Sequence, residues 1–371
     1  MTNLSKFILT LLVLLMATYS GYSQITVTKI ENKNINTSVD GFIYSMPKTI
    51  FKIDIVYEKV QEIVGPLSEY TTEYLGATDY ISSNKVDYNL INIDVSTNNV
   101  ADPNQLYFVQ YPIERTKDEK ATSFTLSDIG GLLAYNTDYT TTQQNTEVIN
   151  DQTFIFKSGE TGFPYMSQYN RKEKIDTIVR TINIDTVTIN RFLFKSSWID
   201  KSINDKAKDA ALQIEKIRES RYHLMTGYQE VNYGSSIVYM DNQIQKLENQ
   251  YLELFLGKKL RTIERKTVYF DPSMVKKGDE LLKFANGNSV VIKVTPDKIS
   301  GTIPDATSTV SNSIYYRIPA SANVEVSLGN NTFFNGRFNV NQLGAVSTIP
   351  LTNTKLQFNR ETGNIISIER E

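Results

Sequence analysis

The chain has 371 residues, a formal net charge of −2, 40% hydrophobic residues and no cysteine. That length can bury one or two real cores without covalent staples, and the missing cysteines exclude disulfides, thiolate metal sites and lipid attachment through an N-terminal cysteine. Weak, mixed-sign charge gives no electrostatic drive toward nucleic acid or an anionic membrane, and 22 tyrosines against one tryptophan suit half-wet β surfaces.

In chain order, residues 1–23 read as a secretory signal peptide. Lys6 precedes an apolar run over 7–19 that is too short for a bilayer span, and Gly21 and Ser23 place a cut before Gln24. Residues 24–170 read as an N-terminal β domain. Its clearest strand alternates Phe51, Ile53, Ile55 and Tyr57 with Lys52, Asp54 and Glu58, as a half-exposed antiparallel strand does. Pro66 opens a short helix over 66–75, and Gly76 stops it. Gly130-Gly131 reads as a turn or bulge, and the Thr-, Asn- and Gln-rich stretch 137–151 as a loop. Residues 171–201, rich in β-branched side chains, read as extended linker strands.

Residues 202–257 read as a helical hairpin. Ala207, Ala210, Ile214, Ile217 and Leu224 form one apolar stripe, and Ile237, Met240, Ile244, Leu247, Tyr251 and Leu254 form a second. Ser202 with Asp205 forms a capping box, Ser235 or Ser236 caps the second helix, and Gly257 supplies a left-handed end. Residues 258–371 return to short strands, with a hairpin signal at Asn286-Gly287. The pattern predicts an α+β, mostly β fold. Two antiparallel sandwich- or barrel-like β domains are joined through a long antiparallel αα-hairpin, packed like a short coiled coil.

Catalytic constellations fail on inventory. His223 is the single histidine and lies in a packing run, so a Ser-His-Asp triad and zinc sites have no basis. No phosphate-binding glycine loop or D-x-D-x-D-G calcium loop occurs, so no cofactor and no metal is expected. Two-acid chemistry needs only spatial pairing, which leaves Asp54, Asp94, Asp128 and Asp271, near predicted strands, as the acids to follow.

Asp176-Thr177-Ile178 and Asp185-Thr186-Val187 resemble the Asp-Ser/Thr-aliphatic acceptor of O-glycosylation in exported proteins of Bacteroidota, which makes Thr177 and Thr186 candidate modification sites. Several longer segments resemble the Bacteroidota family catalogued as domain of unknown function 4831. They include Gly41-Phe42-Ile43-Tyr44-Ser45-Met46-Pro47-Lys48-Thr49, Gly65-Pro66-Leu67-Ser68-Glu69-Tyr70, Gly131-Leu132-Leu133, Leu224-Met225-Thr226-Gly227, Tyr251-Leu252-Glu253-Leu254-Phe255-Leu256-Gly257 and Tyr315-Tyr316-Arg317-Ile318-Pro319. The resemblance implies an exported, periplasmic or envelope-associated protein and supplies no catalytic residues.

The expected function is a non-enzymatic binding, adaptor or scaffold module with the helical hairpin as spacer, taking an envelope protein or glycan as partner. The first contact residues to follow are the aromatics near Tyr315-Tyr316-Arg317 and Tyr107-Phe108. Two alternatives stand beside it: a two-acid hydrolase with a site between the β domains, and a self-associating protein that forms a homo-dimer through its hairpin.

Overall fold

The computed structural model describes residues 24–30, 39–111, 122–139, 152–163, 165, 171–184, 187–228, 234–274, 278–297 and 309–370. The signal peptide reading falls outside these residues.

Strand predominates. In chain order the strands are β1 (Thr26–Lys29), β2 (Gly41–Ile63), β3 (Lys85–Gln110), β4 (Phe124–Leu126), β5 (Leu132–Tyr135), β6 (Gln152–Lys157), β7 (Arg171–Ile184) and β8 (Val187–Asp200). They continue with β9 (Lys258–Phe270), β10 (Asp279–Lys283), β11 (Ser289–Pro296), β12 (Val310–Ser311), β13 (Ser313–Leu328), β14 (Asn331–Pro350), β15 (Thr354–Phe358) and β16 (Ile365–Arg370). The α-helices are α1 (Thr71–Leu75), α2 (Ile203–Thr226) and α3 (Ser236–Leu256). One sheet runs β12-β1-β3-β2-β9-β6, two others run β10-β11-β13-β14 and β16-β15-β5-β4, and among the described residues β7 pairs only with β8. These sheets are open, so the barrel-like expectation gives way to several antiparallel sheets.

The chain divides into two compact units, and neither is a continuous stretch of sequence. The first comprises residues 1–56, 92–152 and 266–371; the second comprises 57–91 and 153–265. The division therefore departs from the consecutive N-terminal and C-terminal β domains read from the sequence. Strand partners far apart along the chain cause this: β13 contributes Tyr315 beside Tyr44 of β2, 271 positions away. Likewise α2 and α3 do not join two β domains; both lie inside the second unit.

The first unit is built on the alternation visible in β2, where Phe51, Ile53 and Ile55 are fully buried and Lys52 and Asp54 point outward. Its main core gathers Val27, Tyr44, Met46, Tyr107, Tyr315, Leu356 and Phe358 from five strands. The Gly130-Gly131 turn is present, with Gly130 at φ 75° and the amide of Gly131 donating to the Ser127 hydroxyl.

The core of the second unit is smaller: Leu67, Ala207, Ala210, Ala211, Ile214, Leu254 and Phe255. The expected stripe of α2 is buried throughout, but on α3 only Leu254 and Phe255 are. Ile237, Met240, Ile244 and Leu247 are half-buried, so a coiled-coil seam along the full length is not what forms. The difference has a local cause, because Leu67 and its neighbours cover only one end of the helix pair. Toward the other end ion pairs join the helices, with Arg218 donating to Glu248 at 2.7 Å and Arg221 to Asp241 at 2.7 Å.

The caps of α2 follow the sequence. Ser202 Oγ accepts from the Asp205 amide, the Asp205 carboxylate accepts from the Ser202 amide, and Gly227 closes the helix in the left-handed region. Ser235 sits at the start of α3 without a side-chain cap bond, and Gly257 has φ 76° but ψ −175°, which is not the left-handed helical end expected. Gly65 has its own packing reason. A Cβ there would collide with the Leu254 carbonyl, the same oxygen that accepts from the Leu67 amide at 2.8 Å.

Candidate functional site

The contact residues expected from sequence lie mostly inside the first unit. Tyr315 is 1% exposed, Tyr107 0% and Arg317 4%. The rings of Tyr44 and Tyr107 stack with centroids 5.3 Å apart, and those of Tyr107 and Tyr315 lie 4.7 Å apart. Tyr44 donates its hydroxyl proton to the Tyr315 carbonyl, and burial pushes the Tyr44 and Tyr107 phenols well above their ordinary pKa. Arg317 donates to the Pro47 carbonyl at 2.8 Å and, from both terminal nitrogens, to one oxygen of Asp102 at 3.1 Å. These residues hold the unit together and present nothing to a partner. Only Tyr316 and Phe108 keep some exposure.

The four acids are each engaged locally. Asp54 accepts from Thr267 and lies 3.8 Å from Lys52. Asp94 accepts from Asn92, and Asp128 from Arg360 at 2.9 Å. Asp271 lies 2.5 Å from Lys48 and accepts from Ser273. Burial works against its ionisation, yet Lys48 and the Ser273 donors outweigh it and hold the carboxyl below its usual range. His223 is half-buried and stacks on Tyr228 with centroids 4.8 Å apart. Among the described residues no group of three His, Asp or Glu side chains could hold a metal ion.

The site the structure does offer belongs to the second unit and runs along α3. The helix turns Ile244, Leu247, Tyr251 and Leu254 inward. Opposite them Val238, Tyr239, Asn242, Gln245, Lys246, Asn249 and Glu253 recur at three- and four-residue steps, which places them on one outward stripe. Val238 and Tyr239, at its upper end, are about two-thirds exposed. Tyr222, Met225 and Tyr228 near the end of α2 are exposed as well.

Lower down, the stripe forms one wall of a groove of ≈ 780 Å³, closed on the other side by Gly162, Phe163, Lys258 and Leu260. Lys258 is held in place there. It donates to the Gly162 carbonyl, and its ammonium sits 4.4 Å from the centre of the Phe163 ring. Each amide in the wall carries both a donor and an acceptor, and Glu160, Lys246, Glu253 and Lys258 add both signs of charge, so the groove can meet a polar ligand rich in donors and acceptors, such as hydroxyls or a peptide backbone. Sequence reasoning passed over this stripe because a polar helix face reads as solvated. The signal that could have found it is the clustering of amides at Asn242, Gln245, Asn249 and Gln250, where charged residues are the commoner choice.

The candidate modification sites fall on the β7–β8 ribbon. Thr177 is exposed and pairs across the ladder with Phe194; Thr186 lies outside the described residues. The stretch expected to be a linker is thus a two-stranded ribbon of its own.

No helix among the described residues is long and apolar enough to cross a membrane. A family model described as "Domain of unknown function (DUF4831)" matches residues 40–168 and 165–366. Neither a curated protein nor a solved structure matches the chain.

Proposed function

The chain belongs to that family, and from this premise we propose that it is a non-enzymatic, exported envelope protein acting as a binding or scaffold module. In this reading α2 and α3 form the spacer, about 30 Å long by helix rise, that presents the outward stripe of α3 to a partner. The observation that carries it is the stripe itself. Exposed Val238 and Tyr239 stand on the same stripe of α3 as the groove wall of Asn242, Gln245 and Asn249, and Tyr222 and Met225 of α2 are exposed too. Tyrosine and methionine enrichment marks protein contact surfaces, and amides beside an aromatic suit a hydroxyl-rich or peptide ligand. The local engagement of Asp54, Asp94, Asp128 and Asp271 with separate partners favours binding over two-acid hydrolysis. Export rests on the leader at residues 1–23, and an O-glycan at Thr186 would be compatible with it.

The test is chemical crosslinking in intact envelopes, followed by recovery of the protein and identification of what comes with it. The wild-type chain is compared with Asn242→Ala/Gln245→Ala/Asn249→Ala and with Tyr222→Ser/Tyr239→Ser. These positions are outside the core, so folding should survive. Loss of the same partner in both variants is expected; an unchanged partner set in both would end the proposal.

A further inference from the structure

The β7–β8 ribbon exposes more large apolar surface than any function assigned above uses. In its ladder Glu173 faces Trp198, Ile175 faces Ser196, Thr177 faces Phe194, Val179 faces Phe192 and Thr181 faces Asn190, so all of these share one side of the ribbon. On that side Ile175 is 59% exposed, Val179 52%, Phe192 57%, Phe194 72% and Trp198 67%. Between Glu173 and Asn190 it carries no charge. The other side alternates Lys172, Lys174, Asp176, Arg180, Arg191 and Lys195 with its aliphatics, and Lys172 ties that side to the first turn of α2 through Asp205. One face is therefore anchored and cationic. Its opposite is apolar and is not covered by the described residues.

We propose that this apolar face is the docking surface for a second copy of the same chain, with two ribbons packing face to face and antiparallel. Three observations select that occupant. The first is area. Aromatic side chains of about 150–250 Å² each, exposed to this degree and joined by Ile175 and Val179, leave roughly 600 Å² open per copy. Two copies together would bury up to about 1,200 Å², the lower bound of a specific interface, and a patch of roughly 600 Å² is at the top of the range found on monomers, where such patches are often functional.

The second is the placement of charge. Arg171, Glu173 and Asp200 are confined to one end of the face, and Arg171 and Asp200 already pair with each other at 3.5 Å. Toward the other end the same side carries the register positions Thr181, Asn190, Asn183 and Thr188. An antiparallel arrangement sets the charged end against hydroxyl and amide, while a parallel one would bring together two mixed-sign ends that each carry a net negative charge. The third is the ladder. Thr177 and Ser196, small residues, sit directly across from Phe194 and Ile175, so the face has large and small positions that two copies can interdigitate at the roughly 10 Å spacing of packed sheets. This association does not depend on the α3 stripe, which lies on a different element.

Trp198 is the only tryptophan and the chain has no cysteine, so both a fluorescence and a crosslinking readout are free of background. For the full chain, sedimentation velocity across micromolar concentrations should show a shift from one to two chain masses, with a parallel blue shift of Trp198 emission. Phe194→Lys should remain at one mass with red-shifted emission and unchanged far-ultraviolet circular dichroism, while Ile178→Lys, on the opposite side, should still dimerise. Thr177→Cys, in an otherwise native chain, should crosslink to itself with a short bismaleimide, and Asp176→Cys should not; this pair decides the matter even if Phe194→Lys fails to fold. One chain mass at every concentration, a dimer that Phe194→Lys leaves intact, or equal crosslinking from positions 176 and 177 would overturn the proposal. A Trp198 shift that occurs only on adding phosphatidylglycerol vesicles would also overturn it, and would assign the face to a lipid surface.

Discussion

The tyrosine core of the first unit and the β7–β8 ribbon are written in similar sequence and end in opposite environments. Both are antiparallel strands that alternate aromatic or branched residues with polar ones. Around Tyr44, Tyr107 and Tyr315, strands from three remote parts of the chain close over the rings, and the exposures fall to 1% or less. Around Phe192, Phe194 and Trp198 the described residues supply one partner strand, and the same kind of residue stays more than half exposed. Alternation decides which side chains share a face; only tertiary packing decides whether that face is covered.

The sharpest way to break the comparison is to disturb what the core contains and the ribbon lacks, a buried charge pair. Asp102→Ala leaves the Arg317 guanidinium buried without its carboxylate, and the expected cost is about 3–5 kcal/mol by chemical denaturation. If the loss were under about 1 kcal/mol, Arg317 would have to reach water on substitution. A matched pair of aromatic changes comes next. Tyr107→Ala should cost about 3–5 kcal/mol, and Phe194→Ser within about 0.5 kcal/mol in a dilute, monomeric sample. Similar losses at the two sites would mean the ribbon is packed within one chain.

A smaller effect is expected at the capping box that starts α2. Ser202→Ala should destabilise by about 1 kcal/mol, read as a lower denaturant midpoint with unchanged slope. Asp205, in the same box, has its carboxyl lowered to about 2, chiefly by the Lys172 ammonium and then by the Ser202 hydroxyl and amide. A depressed acid contributes stability that is complete above its unfolded pKa near 3.9 and is lost as pH falls toward about 2. Wild type and Asp205→Asn should therefore differ in stability at pH 6 and converge on acidification through that window. A constant difference down to pH 2 would assign the effect to packing. Least affected should be Arg218→Ala, which removes an exposed cation from the largely buried Glu248 while Arg221 stays 3.9 Å from that carboxylate, and should cost about 1 kcal/mol.

Local features were legible in the sequence because their causes are local. The inward positions of β2, the stripe Ala207, Ala210, Ile214, Ile217 and Leu224, the Ser202–Asp205 box and the Gly130-Gly131 turn each follow from a short window of residues. What spacing alone could not show was set by distant partners. Tyr315 and Arg317 read as surface candidates until Tyr44 and Asp102, more than 200 positions away, are placed against them. The second apolar stripe of α3 predicts a seam, but how deeply it is buried depends on Leu67, which reaches only Leu254 and its neighbours. The amide stripe escaped notice for the reverse reason: nothing in a polar helix face announces that Phe163 and Lys258 will wall it into a groove.

The contrast between covered and uncovered aromatics is tested most directly by acrylamide quenching of Trp198 in the full chain at high dilution, where association is negligible. Because the indole is the only one present and stands 67% exposed on the ribbon, its emission should be that of a water-exposed tryptophan and should quench as readily as a free indole. A blue-shifted emission that resists acrylamide at that dilution would mean the single chain already covers its ribbon, and would contradict the account.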